Sequence, residues 1–382
     1  MKGRLKILFI FLLAVFCTIG SAQVKIRLFA NQAPESAVLS VTEGTYELNL
    51  FNGEILSVFK NEPVIITRYN GKLAVKKRNS KGFVCDSLIL KGKTGNDSFS
   101  LMMNGESHLR QNYSGDLQCL PDLGTLVFIN ISDVEKYISG VVMAEGGAGK
   151  NLEYFKTQAI IARTYMYKYF DKHSSDKYNV CDNTHCQAYN GFSTDTLLNK
   201  ATLETRGLVI LDKDSSLIIS AFHSNCGGET SSSDDVWLSG QPYLKSVVDP
   251  YCITSRNATW RKSYPVNEWL SYIRKSGYKG NIENPSIFNF HQDSRLTDYK
   301  IGSLKIPLRT IREDLNLRST FFSVFAVGDS IILKGRGYGH GVGLCQEGAM
   351  EMAARGFNYK QIIDFYYFGV LISDIKNAVA LP

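Results

Sequence analysis

Histidine is scarce in this sequence, six in 382 residues, so any cluster that contains one stands out. Basic charge is not concentrated either. Of the formal +7, three cations fall within the first six residues, which leaves +4 for the rest of the chain. A nucleic-acid binder is excluded on that ground, because it gathers Lys and Arg on one face or along one helix. After residue 19 no apolar run is long enough to span a bilayer, which takes about 20 residues. Neither G-x-G-x-x-G nor G-x-x-x-x-G-K-[ST] occurs, and with them go the common nucleotide-binding loops. Residues 254–330 are mixed in pattern and hold no repeats and no low-complexity linker.

What is present begins with a leader. Lys2, Arg4 and Lys6 precede an apolar stretch at residues 7–19, and Gly20-Ser21-Ala22 stands before Gln23. This layout predicts a cleavable secretory signal over residues 1–22, with an uncleaved N-terminal anchor as the alternative. Cys17 does not suggest a lipid anchor, since bulky Phe16 precedes it. Export places the chain in the periplasm, the cell wall or the medium. About 360 residues remain, enough for one large or two ordinary domains.

Residues 23–125 read as β-rich. "VKIRLFA", "GTYELNL", "PVIITRY", "KLAVKK" and "DSLILKG" are short runs of β-branched and alternating residues separated by Gly, Asn and Asp. The pattern changes over residues 126–382, which read as a mixed helix and strand core, so the expected class is α+β. In "ISDVEKYISGVVMAEGG", Ser132 and Glu135 have capping-box spacing. Val134, Tyr137, Ile138, Val141 and Val142 then recur as a buried helix face. Asn151 starts a second helix with a stripe of Leu152, Phe155, Ala159, Ala162, Met166 and Tyr169. A third helix is expected over residues 194–206, stopped by Gly207. "GLVILDKDSSLIISAFHS" reads as a hairpin turning near Asp212 to Asp214. Near the end come the strand "SIILKG", a glycine arc, a helix over 344–355 and a last helix in "NYKQIIDFYYFG".

Glu145 ends the first helix beside two glycines. A carboxylate there meets the negative end of the helix dipole, which raises its pKa, the more so if it is partly buried. That is the property a general acid needs near neutral pH. The bland alternative is a solvated helix-end glutamate. In the arc "GRGYGHGVGLCQEGAMEMAARG", residues 335–356, a strand-to-helix turn brings His340 and Gln346 together, or else simply packs. "FHSNCGGET" carries His223 and Cys226. A Cys-His nucleophile built on Cys226 or Cys345 is disfavoured, because an exported thiol nucleophile is exposed to oxidation.

Taken together and in order, these segments resemble the stage II sporulation protein D / amidase enhancer (SpoIID/LytB) family. "LEYFKTQAIIARTYMY" is similar to that family's "KAQAVAARTYA" helix, and "YNVCDNTHCQAYNG" to its "VCDTTHCQVYxG" segment. "AFHSNCGGET" is similar to its His-Ser-x-x-Gly-Gly segment, and the glycine arc to its "GxGHGVGLSQxGAxxMA" signature. "IIDFYYFG" is similar to the closing "ILxxYYxG". Two departures stand out. Gly146-Gly147 follows Glu145 where the family has Met-Pro, and Cys345 replaces the signature serine.

The resemblance implies a bacterial cell-wall protein, and a peptidoglycan lytic transglycosylase in its better-known branch. Such an enzyme cuts the β-1,4 bond from N-acetylmuramic acid to N-acetylglucosamine in glycan strands stripped of stem peptides. Glu145 maps onto the catalytic glutamate, and no second acid adjoins it in any motif. His223, His340 and Gln346 are then candidates for orienting the sugar. No cofactor is required for the chemistry. A partner amidase, or a non-catalytic wall-binding or amidase-enhancing role, is the alternative.

Seven cysteines follow the leader, at 85, 119, 181, 186, 226, 252 and 345. Oxidation on export predicts pairing with one left over. In "YNVCDNTHCQAY", Cys181, His185 and Cys186 are three possible zinc ligands, with His173 as a possible fourth, and family members can hold zinc around this loop. The spacing is looser than that of strong zinc motifs, and a Cys181–Cys186 disulfide is the competing expectation, favoured by the compartment and by the want of an evident fourth ligand. Cys226 and Cys252, which flank the segment ending in "DPYC", are expected to form a second disulfide.

Overall fold

The computed structural model describes residues 22–78, 80–104, 110–147, 151–280 and 284–379. Residues 1–21 of the expected leader lie outside them. Among the described residues no helix is long and apolar enough to cross a membrane.

The fold is α+β, and its β-rich start is built on period-two alternation. Gln23–Leu28 buries Val24, Ile26 and Leu28 on one face, and Thr45–Leu50 buries every second residue. Seven strands form one sheet in the order Val180–Cys181, Gln23–Leu28, Thr125–Asp133, Asp116–Asp122, Leu88–Gly92, Thr45–Leu50, Ile55–Phe59. Six more form a second sheet, running from Gln111–Ser114 through Ser98–Met103, Ser36–Glu43, Pro63–Tyr69 and Lys72–Lys77 to Gly82–Cys85. Their inner faces meet in one core. Tyr46 from the first sheet packs edge-on against Phe99 from the second at 5.8 Å. Each such buried large side chain contributes roughly 1.5–3 kcal/mol. The strands expected from the sequence in this half are all present.

The first sheet also takes in its outermost strand from far along the chain. Ile26 pairs in parallel with Val180 and Arg27 with Cys181. The cysteine loop therefore starts from a sheet edge.

Strand Thr125–Asp133 runs directly into helix α1, Val134–Glu145. The expected Ser132–Glu135 capping box does not form. Asp133 is the N-cap, its carboxylate accepting from the N–H groups of Glu135 and Lys136. Ser132 is buried in the sheet, and Glu135 turns inward instead. It forms a two-point ion pair with Arg163, at 3.1 and 2.5 Å. Arg163 lies on α2, Leu152–Lys168, with Asn151 as its cap. Its guanidinium also donates to the carbonyls of Leu208 and Thr202, so one buried cation joins α1, α2, the Leu208–Leu211 strand and α3, Thr196–Glu204.

The expected hairpin turns where predicted, with Asp212 N–H donating to the Ser216 carbonyl. Its second arm adds only one bridge, Leu211 to Leu217. The ladder partner of Leu208–Leu211 is Leu371–Asp374 near the C-terminus, a pairing of high sequence separation that local pattern does not reveal. A short helix α4, Ser233–Val236, follows. A separate hydrophobic cluster centred on Trp269, Tyr299, Val324 and Leu333 is built from α5, Val266–Lys275, α6, Leu308–Asp314, the hairpin of Asp298–Ile301 and Leu304–Pro307, and the sheet of Thr259–Pro265, Ser330–Arg336 and Phe322–Val327. Helices α7, Gln346–Ala354, and α8, Tyr359–Tyr366, the latter started by an Asn358–Gln361 capping box, precede the Leu371–Asp374 strand.

Candidate active site

Glu145 is the last residue of α1, with Gly146 as the C-cap. Three contacts fix this helix end. Gln346 Nε2 donates to the Glu145 carbonyl at 2.7 Å, Tyr154 Oη donates to the Gly146 carbonyl at 2.6 Å, and the N–H of Ala188 donates to Glu145 Oε1 at 2.6 Å. The last contact depends on Gly140. A Cβ there would stand 2.2 Å from the Gly191 carbonyl oxygen and 2.6 Å from the Tyr189 ring. A glycine inside a helix costs about 1 kcal/mol relative to alanine. Here it lets segment 187–191 lie on the helix, where Tyr137 Oη also bonds Gln187 at 3.2 Å.

Burial pushes the Glu145 carboxyl up to about 7, against the downward pull of the Ala188 N–H. The direction is the one expected from the sequence. Its chief cause is desolvation rather than the helix dipole.

The other sequence candidates are placed as follows. Gln346 is buried, and its amide serves the main chain of Glu145. His223 is buried, its Nδ1–H directed at the Val342 carbonyl at 3.2 Å. His340 donates from Nε2 to the Phe222 carbonyl at 2.9 Å and accepts at Nδ1 from the Val342 N–H at 3.1 Å. The two rings meet edge to face at 5.5 Å. Burial pushes His340 down to about 4 and His223 well below its ordinary value, so both are neutral at pH 7. A cavity of about 240 Å³ opens beside His340, with Trp237, Arg295, Arg309 and Arg312 in its wall. Glu145 is not among its lining residues.

The cysteine loop gains its fourth member. Sγ of Cys186 lies 3.3 Å from Nε2 of His173 and 3.8 Å from Nδ1 of His185, and Sγ of Cys181 lies 3.7 Å from that Nδ1. All four donor atoms fall within 4.8 Å of one another. Bond lengths of about 2.3 Å to sulfur and 2.0–2.1 Å to nitrogen put the corners of a zinc tetrahedron about 3.3–3.8 Å apart, so the residues fit that ion. His173 is the N-cap of a one-turn 3-10 segment, Ser174–Asp176, between α2 and the Val180–Cys181 strand. The expected Cys181–Cys186 disulfide is not formed.

The Cys226–Cys252 disulfide is not formed either. The two sulfurs face each other unbonded at 3.3 Å, and Cys345 and Asp249 complete the group. Asp249 was missed by the sequence reading, as was Arg163. Their roles are set chiefly by distant partners, Glu135 for Arg163 and Cys226 and Tyr366 for Asp249.

A model of a family described as Stage II sporulation protein matches residues 123–211. Over 259 residues the chain is 32% identical to Stage II sporulation protein D of Bacillus subtilis (strain 168), covering 63% of this chain and 74% of that one. It is 30% identical over 367 residues to an uncharacterized protein of Brachyspira hyodysenteriae, covering 91% of this chain and 95% of the other. The Amidase enhancer of Bacillus subtilis is 30% identical over 289 residues, of which the match spans only 40% of that longer protein.

Proposed function

The chain belongs to the stage II sporulation protein D family, and from that premise we propose that it is an exported cell-wall enzyme, a peptidoglycan lytic transglycosylase with Glu145 as its acid. The observation that carries this reading is a single carboxyl pushed up to about 7 by burial and held by an N–H at one oxygen. At neutral pH such a group is half protonated, which suits it to both halves of the reaction.

In the first half the Glu145 carboxyl gives its proton to the glycosidic oxygen as the bond from C1 of N-acetylmuramic acid breaks. In the second half the carboxylate takes the proton of the same sugar's C6 hydroxyl. That oxygen then closes on C1 to give the 1,6-anhydro ring, and Glu145 ends protonated as it began. Hydrolytic glycosidases need a second carboxylate to serve as nucleophile or to activate water. An internal hydroxyl removes that need, in keeping with Glu145, beside which no motif places a second acid. The substrate best suited to this scheme is a glycan strand free of stem peptides.

His173, Cys181, His185 and Cys186 would hold a structural zinc. Its contribution is to brace the loop that leads into Ala188, and through it the carboxylate.

Likeness to an amidase enhancer supports a second reading, a wall-binding protein that assists an amidase. Mass spectrometry of peptidoglycan and of denuded glycan after incubation with the protein separates the two. Anhydro-terminated fragments are expected. Intact glycan from every substrate would favour the assisting role.

A further inference from the structure

Cys226, Asp249, Cys252 and Cys345 come from three separate places in the chain and meet at full burial. Cys226 lies just past the short strand Phe222–His223. Asp249 and Cys252 bracket the turn Asp249-Pro250-Tyr251-Cys252. Cys345 is the N-cap of α7. One ligand-type atom from each lies within 4.8 Å of all the others. We infer that these four residues form a second metal site, wholly buried, that takes a single zinc ion with three sulfur ligands and one carboxylate oxygen.

Charge is the first argument. Among the described residues no ion pair joins Asp249 to a Lys or Arg, although the carboxylate is fully buried. Its neighbours are Tyr366 Oη at 2.9 Å, the Tyr251 N–H at 2.8 Å and the Cys226 sulfur at 3.2 Å. A buried carboxylate needs a cation or full hydrogen bonding. A zinc ion supplies the cation and takes up the three sulfurs as well.

The surroundings of the sulfurs give the second argument. Cys345 Sγ accepts from the N–H groups of Cys226 and Gly348 at 3.3 and 3.4 Å. Backbone N–H groups directed at sulfur are the outer shell that metal-bound thiolates require. Gly348 is part of this fit, since a Cβ there would lie 2.4 Å from Asp249 Oδ2 and 2.3 Å from Tyr366 Oη.

A disulfide accounts for less. Joining Cys226 to Cys252 uses two sulfurs and leaves Cys345 and the Asp249 carboxylate sharing one sealed pocket. The 3.3 Å between Cys226 and Cys252 and the 3.2 Å from Cys226 to the Asp249 carboxylate are within about 0.6 Å of the edge of about 3.8 Å that a sulfur-ligated zinc tetrahedron has, and all four atoms lie within 4.8 Å of one another. Three sulfurs and one hard oxygen in four-coordinate geometry favour zinc over magnesium or calcium. The inference depends neither on glycan cleavage nor on the loop around Cys181.

The test starts from a protein carrying Cys181→Ser and Cys186→Ser, in which the loop cluster is removed. Native mass spectrometry of that protein, produced with zinc present, is expected to show a single retained zinc. Adding Asp249→Asn or Cys252→Ser is expected to remove it. The unsubstituted protein offers a measurement that does not depend on variants folding. It is unfolded with a chelator and an alkylating reagent, without reductant, and mapped. Cys226, Cys252 and Cys345 are expected to be labelled as thiols. A Cys226–Cys252 cross-link in that map, or a zinc-free but folded double-serine protein, overturns the proposal.

Discussion

Ala188 donates its backbone N–H to Oε1 of Glu145 at 2.6 Å, two residues beyond the last sulfur of the cysteine loop. The loop and the carboxylate are thereby one mechanical unit. Cys181 is anchored in the first sheet beside Arg27, the chain passes through Cys186, and segment 187–191 then lies on α1 over Gly140. Anything that moves the loop moves a hydrogen bond to the proposed acid.

Glu145→Gln keeps the size of the side chain and removes the proton it exchanges. Glycan cleavage is expected to fall by about 10²–10⁴-fold, the usual contribution of such a group. The circular dichroism spectrum should be unchanged. Turnover within about threefold of the parent would dismiss Glu145 as the acid.

The raised pKa fixes two pH dependences. The protonated form is lost as pH rises through about 7, so kcat/KM is expected to fall by about tenfold per pH unit on the alkaline side. For stability the folded state holds its proton to higher pH than the unfolded state, whose reference value is 4.5. Folding stability therefore drops as pH rises from about 4.5 to about 7 and stays lowered above. Glu145→Gln abolishes that drop. Urea unfolding should show the variant gaining on the parent between pH 5 and pH 8, and a constant difference would contradict the assigned shift.

The Cys181→Ser, Cys186→Ser protein should lose one zinc and melt several degrees lower. At roughly 2–4 °C per kcal/mol for sizeable domains, such a change reports a loss of one to a few kcal/mol. Reaction products should be unchanged, because the loop cluster orients rather than reacts. A protein that keeps its melting temperature and metal but stops turning over would move His185 or the cysteines into the reaction itself.

Gly140→Ala tests the contact between α1 and segment 187–191. Helix propensity alone favours alanine by about 1 kcal/mol. The structure reverses the sign, because the new methyl meets the Gly191 carbonyl and the Tyr189 ring. A destabilisation of about 1–3 kcal/mol, typical of overpacking, is expected in denaturant titrations. A stabilised variant would show that the segment does not lie on the helix as described.

The sequence by itself determined what local pattern can encode. Period-two alternation placed the early strands, and the stripe from Val134 to Val142 placed α1 with Glu145 at its end. Asn151 marked the start of α2, and the last helix was legible within "NYKQIIDFYYFG". The direction of the Glu145 pKa shift was expected from its place at the end of a helix, but its chief cause, burial, is supplied by the tertiary structure. Tertiary structure decided the rest, for a common reason: the partners are far apart in the chain. The spacing of Ser132 and Glu135 reads as a capping box, yet Glu135 goes to Arg163, 28 residues on, since a buried cation demands a carboxylate. His173, at the end of the turn that follows α2, meets the cysteine loop with its Nε2 3.3 Å from the Cys186 sulfur. Gln346 serves the main chain of Glu145, 201 residues away. Cys226, Asp249, Cys252 and Cys345 meet only once the Phe222–His223 strand has paired with Leu344–Cys345 and α7 and α8 have packed against it. No periodicity records such a meeting, because it is the folded core that brings the four together and keeps water out.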